Sequence, residues 1–157
     1  MNQKLRNILA EIISALFIIL FAYAALSKIL DFEKFQVELG KSPILSAFSS
    51  ILAFFVPGFE LLVALLLILK RCQYWALYVS FGLMIVFSAY IIIILNFSYY
   101  IPCTCGGVLE NMTWDQHLVF NIGFAVLGAM GVLIYPQNVK NLSAVRGKAF
   151  VPENGDN

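Results

Sequence analysis

The chain has 157 residues, of which 61% are hydrophobic and only 12% are charged. Soluble domains carry about 25% charged residues, so this composition excludes an ordinary soluble protein and indicates an integral membrane protein. The formal net charge is +1 and no run is rich in lysine or arginine, which argues against nucleic acid as a partner. The length allows one compact bundle of spans and no second folded domain.

Four apolar runs are each close to the roughly 20 residues that a helix needs to cross the hydrocarbon core. Backbone polar groups in lipid must be paired within their own segment, so we predict an all-α fold, a four-helix transmembrane bundle. Its predicted spans cover about residues 8–26, 48–69, 74–97 and 118–135. They form one membrane domain over residues 1–136, and residues 137–157 form a polar tail.

The first run and the connection after it need separate interpretation. The first run also resembles a signal peptide, because Lys4 and Arg6 precede it and Ala22, Tyr23 and Ala24 near its end look like a cleavage site. It is as long as a span, so we expect it to be retained. Residues 27–46 alternate apolar with charged side chains and predict a short amphipathic helix at the membrane surface, ending near Gly40 and Pro43.

The distribution of basic residues predicts how the bundle is oriented. With four spans, both termini share one side with the connection between spans two and three. The basic residues of that side are Lys4, Arg6, Lys70, Arg71, Lys140, Arg146 and Lys148, and those of the other side are Lys28, Lys34 and Lys41. We therefore expect both termini and the tail to lie in the cytoplasm. The connection between spans three and four then faces the exterior, where disulfides persist.

Cys103 and Cys105 lie in that exterior connection. Residues two apart in a helix point to different sides, but Pro102 before the pair and two glycines after it indicate a turn. A turn can bring the two Cα atoms within the roughly 4.4–6.8 Å that a disulfide requires. A disulfide between residues two apart closes a small ring, which adds little stability and is easily reduced. Such a bond favours a redox role over a structural one. Metal binding, or no chemical role, remains open.

His117, the only histidine, lies about one turn into the fourth span. Thr113 and Gln116 before it fit a capping box that starts this helix. His117 is suited to accept or donate the proton that moves in thiol–disulfide exchange. With the two sulfurs it would also suit copper(I) or zinc, and a histidine bonded to lipid headgroups fits the pattern equally well.

Glu60 lies within the second span, shortly after Pro57. A carboxylate at that depth costs a few kcal/mol unless it is protonated, paired or hydrated. Lys28, at the exterior end of the first span, is its predicted partner. The pair either handles protons or a quinone, or it is a structural ion pair that orders the bundle.

Other polar and small residues within the spans predict helix–helix contacts. Asn96 and Asn121 are expected to form interhelical hydrogen bonds. Gly123, Gly128 and Gly131 are expected to let the fourth helix approach its neighbours closely.

Three short segments can be compared with a known family. Residues 23–35 read YAALSKILDFEKF, residues 56–62 read VPGFELL and residues 103–107 read CTCGG. They resemble, in that order, the small residue–Lys–hydrophobic–Asp–Phe signature, the Pro-x-x-Glu-Leu element and the Cys-x-Cys segment of the MauE/DoxX-like redox-associated membrane proteins. The resemblance covers roughly residues 10–135. It implies thiol–disulfide exchange at the membrane, in the cell envelope, alongside a thioredoxin-like partner.

We therefore expect a membrane-embedded redox component in which Cys103 and Cys105 exchange with a thioredoxin-like or other cysteine-containing envelope protein. A quinone is the candidate cofactor, and His117, Glu60 and Lys28 would manage protons or polarise it. Two other functions remain open: an accessory or assembly subunit of a larger membrane complex, and a small Cys/His metal-binding protein. Whether the chain is itself a thiol–disulfide oxidoreductase is also open, and its single exterior pair indicates that it works with another protein.

Overall fold

The computed structural model describes residues 3–41, 45–97 and 113–135. The helices of these ranges are α1 (Gln3–Leu30), α2 (Phe32–Lys41), α3 (Ser49–Ile68), α4 (Gln73–Phe97) and α5 (Trp114–Ile134), with one 3₁₀ turn (Ser46–Phe48) before α3. Within these ranges there is no strand. The predicted all-α fold is confirmed.

Four helices are long and apolar enough to cross a bilayer, namely α1, α3 with its preceding turn, α4 and α5. Large apolar side chains such as Leu30, Phe97 and Leu133 point outward, as contact with lipid requires. The chain is a multi-pass membrane protein. The cytoplasmic tail predicted for residues 137–157 lies outside the described residues.

The start of the last helix differs from the predicted span boundary because a capping box determines it. The helix α5 begins at Trp114 because Thr113 closes the predicted capping box. The Gln116 N–H donates to Thr113 Oγ1 at 3.4 Å, and the Thr113 N–H donates to Gln116 Oε1 at 3.1 Å. The start near residue 118 that hydropathy predicts for the fourth span was therefore wrong. The capping residues predict the observed start of α5 more closely.

The helix α2 confirms the predicted amphipathic segment between the first two spans. Its residues Phe35 and Leu39 are buried and pack with Ala53 of α3. Gln36 Nε2 also donates to Ser50 Oγ at 3.0 Å. The segment is thus fixed against the start of α3.

The core lies among the four spanning helices, with Phe17 and Phe21 of α1 fully buried. Gly128 of α5 packs directly on α4, since an added Cβ would lie 3.2 Å from the Phe81 Cβ. This confirms the predicted close approach at Gly128. The expectation was wrong for Gly123, because an added Cβ there would have no atom of another described helix within 4 Å.

Contacts between helix termini define the two ends of the bundle. Arg6 Nε donates to the Ile134 carbonyl at 3.1 Å, and Lys70 Nζ donates to Glu11 Oε1 at 2.7 Å. The start of α1 therefore lies beside the ends of α3 and α5. The opposite end, which we call the distal end, is defined by Leu30, Ser49, Phe97 and Trp114.

The interhelical hydrogen bond predicted for Asn96 was wrong. Its Nδ2 donates to the Ile92 carbonyl of its own helix at 2.8 Å, and the residue is exposed. An exposed amide beside a helix carbonyl does not need a neighbouring helix to satisfy it. Asn121 is buried, and its interhelical hydrogen bond stays a prediction.

Candidate functional site

A buried ion pair joins α1 to α3 towards the distal end. Lys28 Nζ donates to Glu60 Oε1 at 2.9 Å and to Oε2 at 3.0 Å, and to the Ala24 carbonyl at 3.2 Å. The Glu60 side chain is 2% exposed and that of Lys28 is 17% exposed. The predicted partnership is confirmed, and each of the three ammonium hydrogens has an acceptor.

The direction of helical side chains explains how these residues meet. Side chains of a helix lean towards its N-terminus. The helix α1 runs towards the distal end, so Lys28 reaches back into the bundle. The helix α3 runs the opposite way, so the Glu60 side chain leans towards the distal end and meets the Lys28 ammonium between the two helices.

The helix α2 covers this pair with an aromatic ring. The Phe35 ring centroid lies 5.9 Å from Lys28 Nζ, within the range of a cation–π contact. Phe35 is itself buried. Its ring helps to exclude water, which strengthens the attraction between the two charges.

His117 lies on the inward face of α5. The buried residues that follow it at helical spacing are Asn121, Ala125 and Gly128, so this stripe of the helix faces its neighbours. His117 is half-buried at the distal end of that stripe.

The surroundings of His117 belong to the distal end of the bundle, towards which the ion pair also lies. Its ring stacks on Trp114 with the centroids 6.2 Å apart. The buried Nδ1 of His117 meets no hydrogen-bond partner in the described part of the chain. The structure therefore joins Lys28 directly to Glu60 and places His117 at the same end of the bundle.

A second buried acid, Glu38, was missed by the sequence analysis. It is 5% exposed, and Lys41 Nζ donates to its Oε1 at 2.8 Å. Its Oε2 is buried and meets no partner among the residues described. The available signal was its spacing, because Glu38 follows Phe35 by three residues and so falls on the same face of α2.

The predicted redox residues, Cys103 and Cys105, lie outside the described residues. Their connection leaves α4 and enters α5 at the distal end. Cys72 is a free cysteine in the turn between α3 and α4, at the opposite end of the bundle. Within residues 3–41, 45–97 and 113–135 no group of three or more histidine, cysteine or acidic side chains could hold a metal. The metal-binding alternative, which uses Cys103, Cys105 and His117, stays a prediction.

Comparison with known proteins identifies the family. No curated protein and no solved structure gives a significant match to the chain. The family model described as methylamine utilisation protein MauE matches residues 6–134. That match runs from the first turns of α1 to the end of α5 and includes every candidate site residue. The chain belongs to the MauE family.

Proposed function

We propose that this chain is a membrane-embedded thiol–disulfide exchange protein whose Cys103 and Cys105 cycle between dithiol and disulfide. Its co-reactant is a thioredoxin-like or other cysteine-containing envelope protein. The observation that carries the proposal is that His117 and the buried Lys28–Glu60 pair both lie towards the end of the bundle where the cysteine connection leaves and enters the helices. Family membership supports it through the Cys-x-Cys segment that the chain shares.

The proposed reaction consists of two exchange steps. The thiolate of one cysteine attacks the partner's disulfide, a mixed disulfide forms, and one partner sulfur leaves as a thiolate. The second cysteine then attacks the mixed disulfide, so that the Cys103–Cys105 bond forms and the partner leaves as a dithiol. Two electrons pass from this chain to the partner, and the steps run in reverse when the partner is the reductant.

His117 is the proposed proton carrier for these steps. The attacking thiol must lose its proton and the leaving thiolate must gain one, and an imidazole nitrogen performs both transfers near neutral pH. The buried Nδ1 of His117 has no hydrogen-bond partner within the described ranges, so this atom is available to accept or donate a proton.

A quinone is the proposed acceptor of the electrons. In that case the two electrons and two protons of the dithiol go to the quinone. His117 is the residue suited to hydrogen-bond a quinone oxygen. Lys28 already uses its three donors on Glu60 and Ala24, so it would polarise such a group through space rather than bond to it.

The proposed setting is the bacterial inner membrane with the distal end outside. Lys4, Arg6, Lys70 and Arg71 lie at the opposite end of the bundle, which supports a cytoplasmic position for that end. The distal end then faces the compartment in which disulfides persist.

Thiol trapping in membranes tests the proposal. A Cys72→Ser background leaves Cys103 and Cys105 as the remaining cysteines, so any mass shift from a thiol-reactive polymer reports on them. We expect little labelling before reduction and two labels after it. Cys103→Ser or Cys105→Ser should accumulate a reducible adduct with the partner, and quinone depletion should raise the dithiol fraction if quinone is the oxidant. Two permanently free thiols, without an adduct in either single variant, would refute the exchange function and favour an assembly subunit.

The proton carrier is tested by the pH profile of the same exchange. His117→Ala should slow disulfide formation and change its dependence on pH, because the attacking thiol loses its acceptor. Asn96→Ala, which changes an exposed polar residue at the distal end, is the control. Identical profiles for the two variants would show that His117 has no part in proton transfer.

A further inference from the structure

The two ends of the bundle differ in the sign of their charge. We call the end opposite the distal end the basal end, and it is defined by Gln3, Ile68, Gln73 and Ile134. Its charged residues, within the described ranges, are four basic and one acidic, namely Lys4, Arg6, Lys70, Arg71 and Glu11. Those of the distal end are three basic and five acidic, namely Lys28, Lys34, Lys41, Asp31, Glu33, Glu38, Glu60 and Asp115. An anionic partner is therefore favoured at the basal end.

Part of the basal positive charge is exposed and unpaired. Lys70 pairs with Glu11 at 2.7 Å, and Arg6 donates to a backbone carbonyl at the end of α5. Lys4 and Arg71 are exposed, and neither takes part in an ion pair with another described residue. Because Arg71 follows Lys70 directly in the turn between α3 and α4, two exposed cations lie side by side there.

Aromatic side chains beside this turn indicate the level of the membrane surface. Trp75 and Tyr78, in the first turns of α4, are 69% and 56% exposed. Outward-facing tryptophan and tyrosine side chains near the end of a spanning helix lie at the level of the lipid headgroups. Arg71 precedes Trp75 by four residues, so the turn that carries it lies on the headgroup side of these rings.

The end of α3 supplies the apolar surface that a lipid requires next to its headgroup. Leu65, Ile68 and Leu69 are all exposed, and they precede Lys70 in the sequence. Their spacing of three and four residues places Leu65 beside the other two on one face of the helix. The acyl chains of a phospholipid would cover this face, whereas a free phosphate would gain nothing from it.

We propose that the turn between α3 and α4 binds a phospholipid with an anionic headgroup. Arg71 holds the phosphate, because a guanidinium donates two parallel hydrogen bonds to phosphate oxygens. Lys70 adds positive charge that Glu11 partly cancels, and the acyl chains lie along the end of α3. This inference does not depend on the thiol–disulfide function, since it uses none of the residues of that site.

Quenching of tryptophan fluorescence by brominated lipids tests the proposal. The chain has two tryptophans, Trp75 in α4 and Trp114 in α5. Trp114→Phe leaves a reporter at the basal end, and Trp75→Phe leaves the matched control at the distal end. The full-length chain is placed in phosphatidylcholine bilayers with an increasing share of phosphatidylglycerol, or of phosphatidylcholine, brominated close to the headgroup. We expect Trp75 to prefer the anionic lipid by about 5-fold, the factor that corresponds to about 1 kcal/mol for one basic residue at a membrane surface. Trp114 should show no preference.

Variants in the Trp114→Phe chain identify the charges responsible. Arg71→Gln should remove the preference, and Arg71→Lys should keep most of it. Glu11→Gln should increase it, because Lys70 then loses its acidic partner. Lys34→Gln, at an exposed lysine of α2, is the control and should leave it unchanged. Added salt should weaken the preference, since it screens exposed charges.

Several outcomes would overturn the proposal. Equal quenching of Trp75 by the two brominated lipids is one, and a preference that Arg71→Gln leaves unchanged is another. Sodium phosphate and sodium chloride are compared at equal ionic strength, and loss of the preference in phosphate alone would assign the site to a free anion instead of a lipid. If Trp114→Phe does not fold, native mass spectrometry of the chain with both tryptophans decides. Retention of phosphatidylglycerol over phosphatidylcholine that is lost in Arg71→Gln supports the proposal, and equal retention of the two lipids refutes it.

Discussion

Breaking the Lys28–Glu60 pair should destabilise the bundle strongly, whereas replacing both partners should not. In Glu60→Leu the ammonium keeps the Ala24 carbonyl as its acceptor and loses both carboxylate oxygens. Removing one partner of a buried pair costs about 3–5 kcal/mol. The Lys28 side chain retains 17% exposure and can recover some hydration, so we expect the lower end, about 3 kcal/mol or roughly 100-fold in the unfolding equilibrium. Lys28→Met should cost at least as much, because the carboxylate that it leaves behind is more deeply buried.

The double variant completes a double-mutant cycle for Lys28 and Glu60. A second ion pair, at the opposite end of the bundle, serves as the reference. Lys28→Met with Glu60→Leu removes both charges, and such replacements in other buried pairs are close to neutral. The reference is Glu11–Lys70, which is as short at 2.7 Å but 62% and 68% exposed. Its coupling should be about 0–1 kcal/mol.

The free energies can be measured by titrating a denaturing detergent into mixed micelles and following tryptophan fluorescence. The double-mutant cycle removes effects that each substitution has on its own. A coupling energy for Lys28–Glu60 no larger than that for Glu11–Lys70 would refute the reasoning. It would mean that water reaches the pair despite the Phe35 ring above it.

Three further predictions concern the packing and capping that position the site. Gly128→Ala should cost about 1–3 kcal/mol by overpacking against Phe81, whereas Gly123→Ala, with open space around it, should be neutral or stabilising in thermal melts. Thr113→Ala should lower stability by about 1 kcal/mol and raise amide exchange in the first turn of α5, and unchanged protection there would contradict a capping role. Phe17→Ala should cost about 3–5 kcal/mol because its ring fills the core, and a loss below 1 kcal/mol would show that the core collapses around the gap.

The membrane fold could be predicted from the sequence because few backbone structures satisfy their hydrogen bonds in lipid. An apolar run of sufficient length must form a helix, and four such runs give four spans. Intramembrane acids need a partner, and Lys28 was the nearest cation on the appropriate side, so the partner of Glu60 could also be predicted. Hydropathy alone could not find the start of α5, since Thr113 and Gln116 fix that helix end through hydrogen bonds.

The residues that the sequence analysis misjudged share a cause. Glu38 was counted among the polar residues of an amphipathic helix, although its spacing from Phe35 places it on the buried face. Asn96 was assigned to a neighbouring helix, although a carbonyl of its own helix lies within reach. A one-dimensional pattern records that a residue is polar and leaves out which acceptor or donor is nearest in space.

The polar groups of this bundle differ in whether their own helix provides their hydrogen-bond partner. Ser14, Ser80 and Ser88 are buried, and each hydroxyl donates to the carbonyl four residues earlier in its own helix. Such serines need no hydrogen-bond partner from another helix, so they are compatible with a purely structural core. Glu60 cannot be satisfied by its own helix and is paired across helices, while His117 keeps a buried atom that no described residue satisfies. Because an unmet polar group is costly in an apolar medium, packing among the described residues does not by itself account for the burial of His117 Nδ1.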